Sequence, residues 1–228
     1  MKVNHSLTDY DAFLNAVTKV YDDGWSDYAR FWEKRDDLQS EEWRQFTAAV
    51  KTGGSVLDVG CHSGRDIRQL IDLGYRVTGL DISEQALRLC REQCPEARTI
   101  KMNLLDLPDL KEQFDGIWLS YVLVHIPYKL VDDALAALDS VLHPEGSMMM
   151  MVTVAEDPQE KIHNSCVMFD EDGVARKVPV CHWAPDPLIE RFRSRFEISW
   201  MDLKPFVDGY AQLSLLVRSQ RSKIRQEH

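Results

Sequence analysis

The sequence predicts an α/β domain: a three-layer sandwich on a mostly parallel, seven-stranded sheet with an antiparallel last strand, a helical section in front and a hairpin inserted after strand five. Three observations predict it. Short apolar strands alternate with amphipathic helices between residues 55 and 154, a glycine-bracketed turn joins the first strand to the helix after it, and beyond residue 155 two strands follow a single helix. With 228 residues, 44% of them hydrophobic, the chain has the size of one domain, 1–228, around one core.

Residues 1–50 precede the first strand. Over 9–20, Tyr10, Phe13, Leu14 and Val17 fall on one helical face; over 25–50, Tyr28, Phe31, Trp32, Trp43, Phe46 and Val50 keep broadly helical spacing, and Gly24 turns the chain between the two. This section reads as a lid or flank added to the sheet. The core follows over 55–154, with strands at 55–59, 76–80, 98–102, 114–119 and 147–154 and helices over 65–73, 84–94 and 129–142. Gly74 stops the first helix, Ser83 caps the second and Pro95 follows it, and the HPEG turn ends the third. Nearly unbroken apolar strands at this spacing imply right-handed crossovers and a sheet buried on both faces. Over 155–184 the acidic turn DEDG at 170–173 separates two short strands and reads as a hairpin; over 185–218 a helix at 185–192 precedes strands at 196–203 and 210–217, an antiparallel pair at the sheet edge.

The formal charge of −10, from 37 acidic and 27 basic side chains, repels a phosphate backbone at long range. Basic residues near Lys161, Arg176 and Lys177, and at Arg218, Arg221, Lys223 and Arg225, are too sparse to reverse that field, so no nucleic-acid partner is expected. The opening MKVNHSLTDYDAFL has no apolar leader core, and the apolar run at 148–154 is strand length; no membrane segment is expected, and a cytoplasmic location follows. Five cysteines, Cys61, Cys90, Cys94, Cys166 and Cys181, lack any CxxC pairing and read as reduced thiols. Cys90 and Cys94, four apart beside Pro95, read as helix-surface residues, and no metal site is expected.

The stretch VLDVGCHSGRDIRQLIDLGYRVTGLDIS carries the chemistry. Gly60 and Gly64 bracket a tight turn in which missing side chains let a ligand approach the backbone. It is not the G-x-G-x-x-G dinucleotide turn, since His62 and Arg65 stand where glycines would be; a ligand without a pyrophosphate needs no such recess. Asp81 ends the second strand, 21 residues past Gly60, where a carboxylate accepts hydrogen bonds from both hydroxyls of a ribose. Asp58 lies inside an apolar strand, where a carboxylate is costly unless it is paired or meets a cationic ligand group. The competing reading is that both cap helices or pair with Arg65 and Arg76.

VLDVGCHSG, then GLDIS, MNLLDLP, FDGIWLSYVLVHI and LHPEGS, in this order, resemble the Rossmann-like class I S-adenosylmethionine-dependent methyltransferase family over residues 55–154. The resemblance implies a single methyltransferase domain with S-adenosylmethionine as cofactor and S-adenosylhomocysteine as product. It implies Asp58 near the methionine end, Gly60, Cys61, His62 and Gly64 lining the cofactor, and Asp81 on the ribose. Ile82 would pack on the adenine, Asn103 and Leu104 would contact it, and Ser120 with Tyr121 would close the methionine side. His62 departs from the glycine usual there. Tyr21, Trp25 and Tyr28 in the front section would cover the cofactor; their alternative is helix-face packing.

Methyl transfer from a sulfonium carbon is an in-line displacement, so alignment and exclusion of water suffice and no protein nucleophile or metal is needed. Cys61 is a poor nucleophile candidate for that reason. The expectation is transfer to a small-molecule acceptor at oxygen or nitrogen. His125, just past strand four, is the candidate base, with Tyr121 beside it; packing against the sheet is the alternative for His125. The insert 155–184 would line the acceptor site, with Trp25, Arg176, His182, Trp183 and Tyr210 as contributors and Arg176 or Lys177 pairing with an acceptor anion. The cysteines are too few for an arsenic acceptor. The alternatives are a protein or RNA methyltransferase, a non-catalytic cofactor-binding protein and a nicotinamide oxidoreductase. As an assembly, a monomer or a homodimer is expected.

Overall fold

A computed structural model describes residues 7–23, 40–155, 163–169, 175–205 and 209–221, with the side chains of 7–9, 23 and 163–177 left out. Helix α1 (Leu7–Asp23) and helix α2 (Glu41–Ala49) precede strand β1 (Ser55–Val59). Then come α3 (Arg65–Asp72), β2 (Arg76–Asp81), α4 (Glu84–Gln93), β3 (Arg98–Lys101) and β4 (Phe114–Ser120). Helix α5 (Val131–Val141) leads into β5 (Leu142–Ala155), and β6 (His163–Phe169) pairs antiparallel with β7 (Ala175–Val180). Helix α6 (Pro185–Arg193), β8 (Phe196–Pro205) and β9 (Tyr210–Ser219) complete the described chain.

The sheet has seven strands in the order β3-β2-β1-β4-β5-β9-β8. The first five run parallel, and β9, the last in sequence, lies antiparallel between β5 and β8. This is the expected mixed sheet. Strand alternation explains the methionine run in β5: Met148 and Met150 enter the core on one face, with α5 and α6, while Met149 and Met151 enter the core on the other, with α2, α3 and α4. Strand order reverses between β1 and β4, which opens a crevice at their carboxyl ends.

Three local expectations change. The front section divides into two jobs: α1 packs against the hairpin strand β7, whereas α2 lies flat on the sheet, with Trp43 stacked on Trp118 at 4.0 Å and Phe46 edge-on to the same ring at 5.2 Å. The helix expected over 129–142 is a short 3-10 turn, Tyr128–Leu130, followed by α5. HPEG belongs to β5, because Leu142 already pairs with Phe114 before an irregularity resets the register at Ser147.

Candidate active site

A cavity of about 700 Å³ occupies the crevice at the carboxyl ends of β1, β2 and β4. Its floor is the turn after β1. Gly60 has φ +74°, and an added Cβ there would sit 2.4 Å from Val122 Cγ2, so the chain reverses where only glycine fits. His62 (φ +55°) and Tyr121 (φ +56°) also hold left-handed backbone, and both border the cavity. Gly64 does not border it; at φ +93° it forms the N-cap of α3, behind the loop.

Asp81 is braced by the backbone, not by Arg65 or Arg76. Its Oδ2 accepts the His62 amide at 3.0 Å and its Oδ1 accepts the Ser83 amide at 2.9 Å, which fixes the carboxylate at the cavity wall while burial raises its pKa. Asp58, 3% exposed, faces the same space, its pKa pushed well up by burial and then by Asp66. Asp66 is occupied, taking the Trp118 indole at 2.8 Å and the Arg65 guanidinium at 2.7 Å. No hydrogen bond or ion pair holds Asp58 among the described residues, so its carboxylate fits a cationic ligand group.

At one end of the cavity Ile82, Met102, Asn103 and Leu104 meet Tyr10 of α1. Asn103 Oδ1 accepts the Leu105 amide at 3.1 Å, and its side chain also bonds the Tyr10 hydroxyl at 3.2–3.3 Å. Helix α1 then crosses the opening with Leu14, Val17 and Tyr21 toward the cavity, a stripe at helical spacing. Next to Tyr21, Asp22 accepts the Ser83 hydroxyl.

His125 lies opposite Tyr21. Its Nδ1 is 3.1 Å from the Pro179 carbonyl, which can only accept, so the proton sits on Nδ1. Nε2 is then the acceptor, and the Tyr21 hydroxyl donates to it at 2.9 Å. Burial lowers the imidazole pKa to about 4, so His125 is neutral at pH 7.

The far wall holds residues that sequence reasoning missed. Glu42 of α2, 3% exposed, accepts through one oxygen from Lys204 Nζ at 3.0 Å, Gln212 Nε2 at 2.9 Å and Ser214 Oγ at 3.0 Å. Gln212 in turn accepts the Tyr121 hydroxyl. Burial works against the Glu42 carboxylate, but hydrogen bonds from its own amide, Lys204 and Ser214 outweigh that and hold its pKa below the usual glutamate range. The one local signal was Gln212 and Ser214, two polar residues on one face of an otherwise apolar strand.

Residues 56–146 match the family described as Methyltransferase domain. A demethylmenaquinone methyltransferase of Tropheryma whipplei (strain Twist) is 31% identical over 118 residues, which are 50% of this chain and 48% of that protein. The chain spans about half the length of the first curated relatives it matches. Among solved structures, DhpI bound to S-adenosylhomocysteine superposes with a TM-score of 0.68 at 17% identity, covering 92% of this chain and 98% of its own. The 1,6-didemethyltoxoflavin-N1-methyltransferase of Burkholderia thailandensis gives 0.67 at 18% identity, covering 95% and 93%. Both share this fold.

Over residues 56–146 the chain is thus similar to methyltransferase domains, and it shares its fold with solved methyltransferases.

The cavity brings together most of the residues singled out in the sequence. Tyr21, Asp58, Gly60, Cys61, His62, Asp81 and Ile82 border it. So do Asn103, Leu104, Ser120, Tyr121, His125, His182 and Tyr210. Trp183 is corrected: it is 2% exposed and lies away from the cavity, its ring packed edge-on to Tyr128 at 4.3 Å and bridged through its backbone to β5. Cys90 and Cys94 are corrected as well; both are 0% exposed, beneath the glycine loop and not on the helix surface. Trp25 and Tyr28 lie outside the described residues, and for Arg176 only the backbone, in β7, lies within them. Among the described residues no His, Cys, Asp and Glu cluster suits a metal ion, and no helix is long and apolar enough to cross a membrane.

Proposed function

We propose that this chain transfers a methyl group from S-adenosylmethionine to a small-molecule acceptor, at oxygen or nitrogen, by in-line displacement. The observation that carries this reading is the pair of cavity carboxylates, Asp81 braced by two amides and Asp58 in no hydrogen bond or ion pair among the described residues. Asp81 accepts from the ribose hydroxyls, and Asp58 meets the ammonium of the methionine portion. Ile82 and Leu104 pack on the adenine, Asn103 contacts it, and Gly60, Cys61, His62 and Ser120 shape the channel between these ends. When bound, the cofactor supplies an electrophilic methyl on a sulfonium.

A small acceptor is favoured because about 700 Å³ is an ordinary pocket for small ligands, and α1 with β7 roofs it. The names of the Tropheryma and Burkholderia relatives point to small acceptors too. Tyr121, His182 and Tyr210, with Val178 and Val180, form the acceptor wall in this reading.

His125 takes a different part from that of a general base. Its one basic nitrogen already holds the Tyr21 proton, and a pKa of about 4 makes it a weak base at pH 7. Tyr21 therefore faces the acceptor as an oxygen that receives a hydrogen bond from its O–H or N–H, with His125 as the positioning residue behind it. The test is incubation of the protein with methyl-labelled S-adenosylmethionine and a metabolite extract, a protein lysate or total RNA. Label in the small-molecule fraction alone supports the reading; label in protein or RNA overturns it.

A further inference from the structure

Tyr21 and Tyr121 both border the cavity, and the groups behind them fix where each hydroxyl proton goes. The relay behind Tyr21 starts at the Pro179 carbonyl, which takes the Nδ1 proton of His125 at 3.1 Å, so Nε2 takes the Tyr21 proton at 2.9 Å. The relay behind Tyr121 starts at Glu42. An ionised carboxylate only accepts, so the Gln212 atom that faces it at 2.9 Å is the amide nitrogen, which also reaches Ser214 Oγ at 3.0 Å. The Gln212 oxygen is thereby turned toward Tyr121 and takes its proton.

The two relays share no residue, yet they end alike, in a hydroxyl whose proton is spent inside the protein. Such an oxygen accepts a hydrogen bond from a ligand and has none to give. The cations that border the cavity among the described residues are committed as well: Arg65 lies 2.7 Å from Asp66, and Lys204 lies 3.0 Å from Glu42 and 3.1 Å from Asp202. A carboxylate, a phosphate or a carbonyl would meet lone pairs at both tyrosines.

We propose that the methyl acceptor is a primary amine, seated with its two N–H groups on the Tyr21 and Tyr121 oxygens. This deepens the methyl-transfer reading above and rests on it. With both hydrogens held, the nitrogen lone pair is left to meet the methyl group. The amine enters uncharged, its ammonium form having shed one proton to water. Its nitrogen attacks the methyl carbon, the carbon–sulfur bond breaks, and the electron pair of that bond stays on sulfur. The product leaves as a secondary ammonium that has kept both hydrogens, so no base acts during transfer. An alcohol would need one, and the basic nitrogen of His125 is already filled by Tyr21. Gln212 and Glu42 are positioning residues, since they turn the Tyr121 oxygen, and not its proton, to the acceptor.

The test uses the whole chain. Calorimetry with S-adenosylhomocysteine comes first: absence of binding there overturns the cofactor reading and this proposal with it, whereas binding leaves the acceptor alone on trial. The chain saturated with S-adenosylhomocysteine is then titrated, by saturation-transfer NMR, with benzylamine, phenethylamine and hexylamine, each beside the alcohol and the carboxylate of the same skeleton. The same amines and alcohols are incubated with carbon-13 methyl-labelled S-adenosylmethionine, and the product is read as N-methyl or O-methyl. Expected are N-methyl product and an affinity for the uncharged amine about tenfold above that for its alcohol. Tyr21→Phe and Tyr121→Phe each remove most of that preference and leave S-adenosylhomocysteine affinity within about twofold. Gln212→Met, which returns the Tyr121 proton to the cavity, lowers the amine-to-alcohol ratio, a readout that a merely structural role would not move. The proposal is overturned by O-methyl product in excess, by an alcohol or carboxylate that binds as well as its amine, by failure of all three amines to bind, or by a preference that survives both phenylalanine variants. Label on oxygen would leave the methyl-transfer reading standing without this one.

Discussion

Replacing Glu42 separates the wall network from the rest of the site. In Glu42→Ala the Gln212 amide and the Ser214 hydroxyl, 1% exposed as a residue, lose their common acceptor. They still bond each other at 3.0 Å, so one N–H and one O–H are stranded, at about 1–3 kcal/mol each. Lys204, whose side chain is 46% exposed, turns to water, and its ion pair counts for less than about 1 kcal/mol. The expected cost is therefore about 2–6 kcal/mol, read by urea denaturation at pH 7. Glu42→Gln keeps an acceptor oxygen and is expected to cost about 1 kcal/mol. Because the folded carboxyl titrates below its usual range, its contribution is complete at neutral pH and fades as pH falls through the folded value, below the ordinary glutamate pKa of about 4.3. Wild type and Glu42→Gln therefore converge in acid. Equal costs for the two variants at pH 7, or an alanine variant within about 0.5 kcal/mol of wild type, would refute the assignment of the cost to stranded donors.

Asp81→Asn sets an amide N–H against a backbone N–H and removes the charge that would meet the ribose; S-adenosylhomocysteine affinity is expected to fall by about tenfold to a hundredfold, checked by calorimetry, with unchanged folding as the control. Gly60→Ala adds a Cβ 2.4 Å from Val122 at φ +74° and is expected to cost about 1–3 kcal/mol and to weaken cofactor binding; a variant as stable as wild type would show that the turn is not constrained as described. His125 titrates near 4 in the fold against about 6.5 unfolded, so the unfolded chain binds more protons between those values and stability falls with pH there, by up to about 1.4 kcal/mol per unit. His125→Gln should flatten that slope in acid denaturation. Tyr21→Phe is expected to cut methyl transfer while leaving S-adenosylhomocysteine affinity within about twofold; equal losses in both would make Tyr21 a cofactor contact instead.

The parallel core was legible because its signals are local. Ser83 capping α4, the apolar strands, and Gly60 and Asp81 at fixed spacing all lie within a short stretch of chain, and the structure has Ser83 at the cap and Gly60 and Asp81 at the cavity, with Gly64 behind the loop. The wall network was not legible: Glu42 meets Gln212 and Ser214 across 170 and 172 residues, a pairing set by α2 lying over β9. Trp183 illustrates the opposite error. An aromatic next to a histidine after the insert reads as a site residue, yet its backbone bridges β5 and turns the ring into the core, while neighbouring His182 packs at a tilt against Tyr210 at the cavity. His125 borders the cavity, but its tautomer depends on the Pro179 carbonyl, 54 residues away, which no local pattern reveals.

The central claim is that this cavity binds an adenosyl sulfonium cofactor. Calorimetric titration of the chain with S-adenosylmethionine, S-adenosylhomocysteine and NAD tests it most directly. Saturable binding of both adenosyl ligands at one shared site, weakened in Asp81→Asn, with no heat from NAD, is the expected result; binding of NAD, or adenosyl binding that is indifferent to Asp81→Asn, would contradict it.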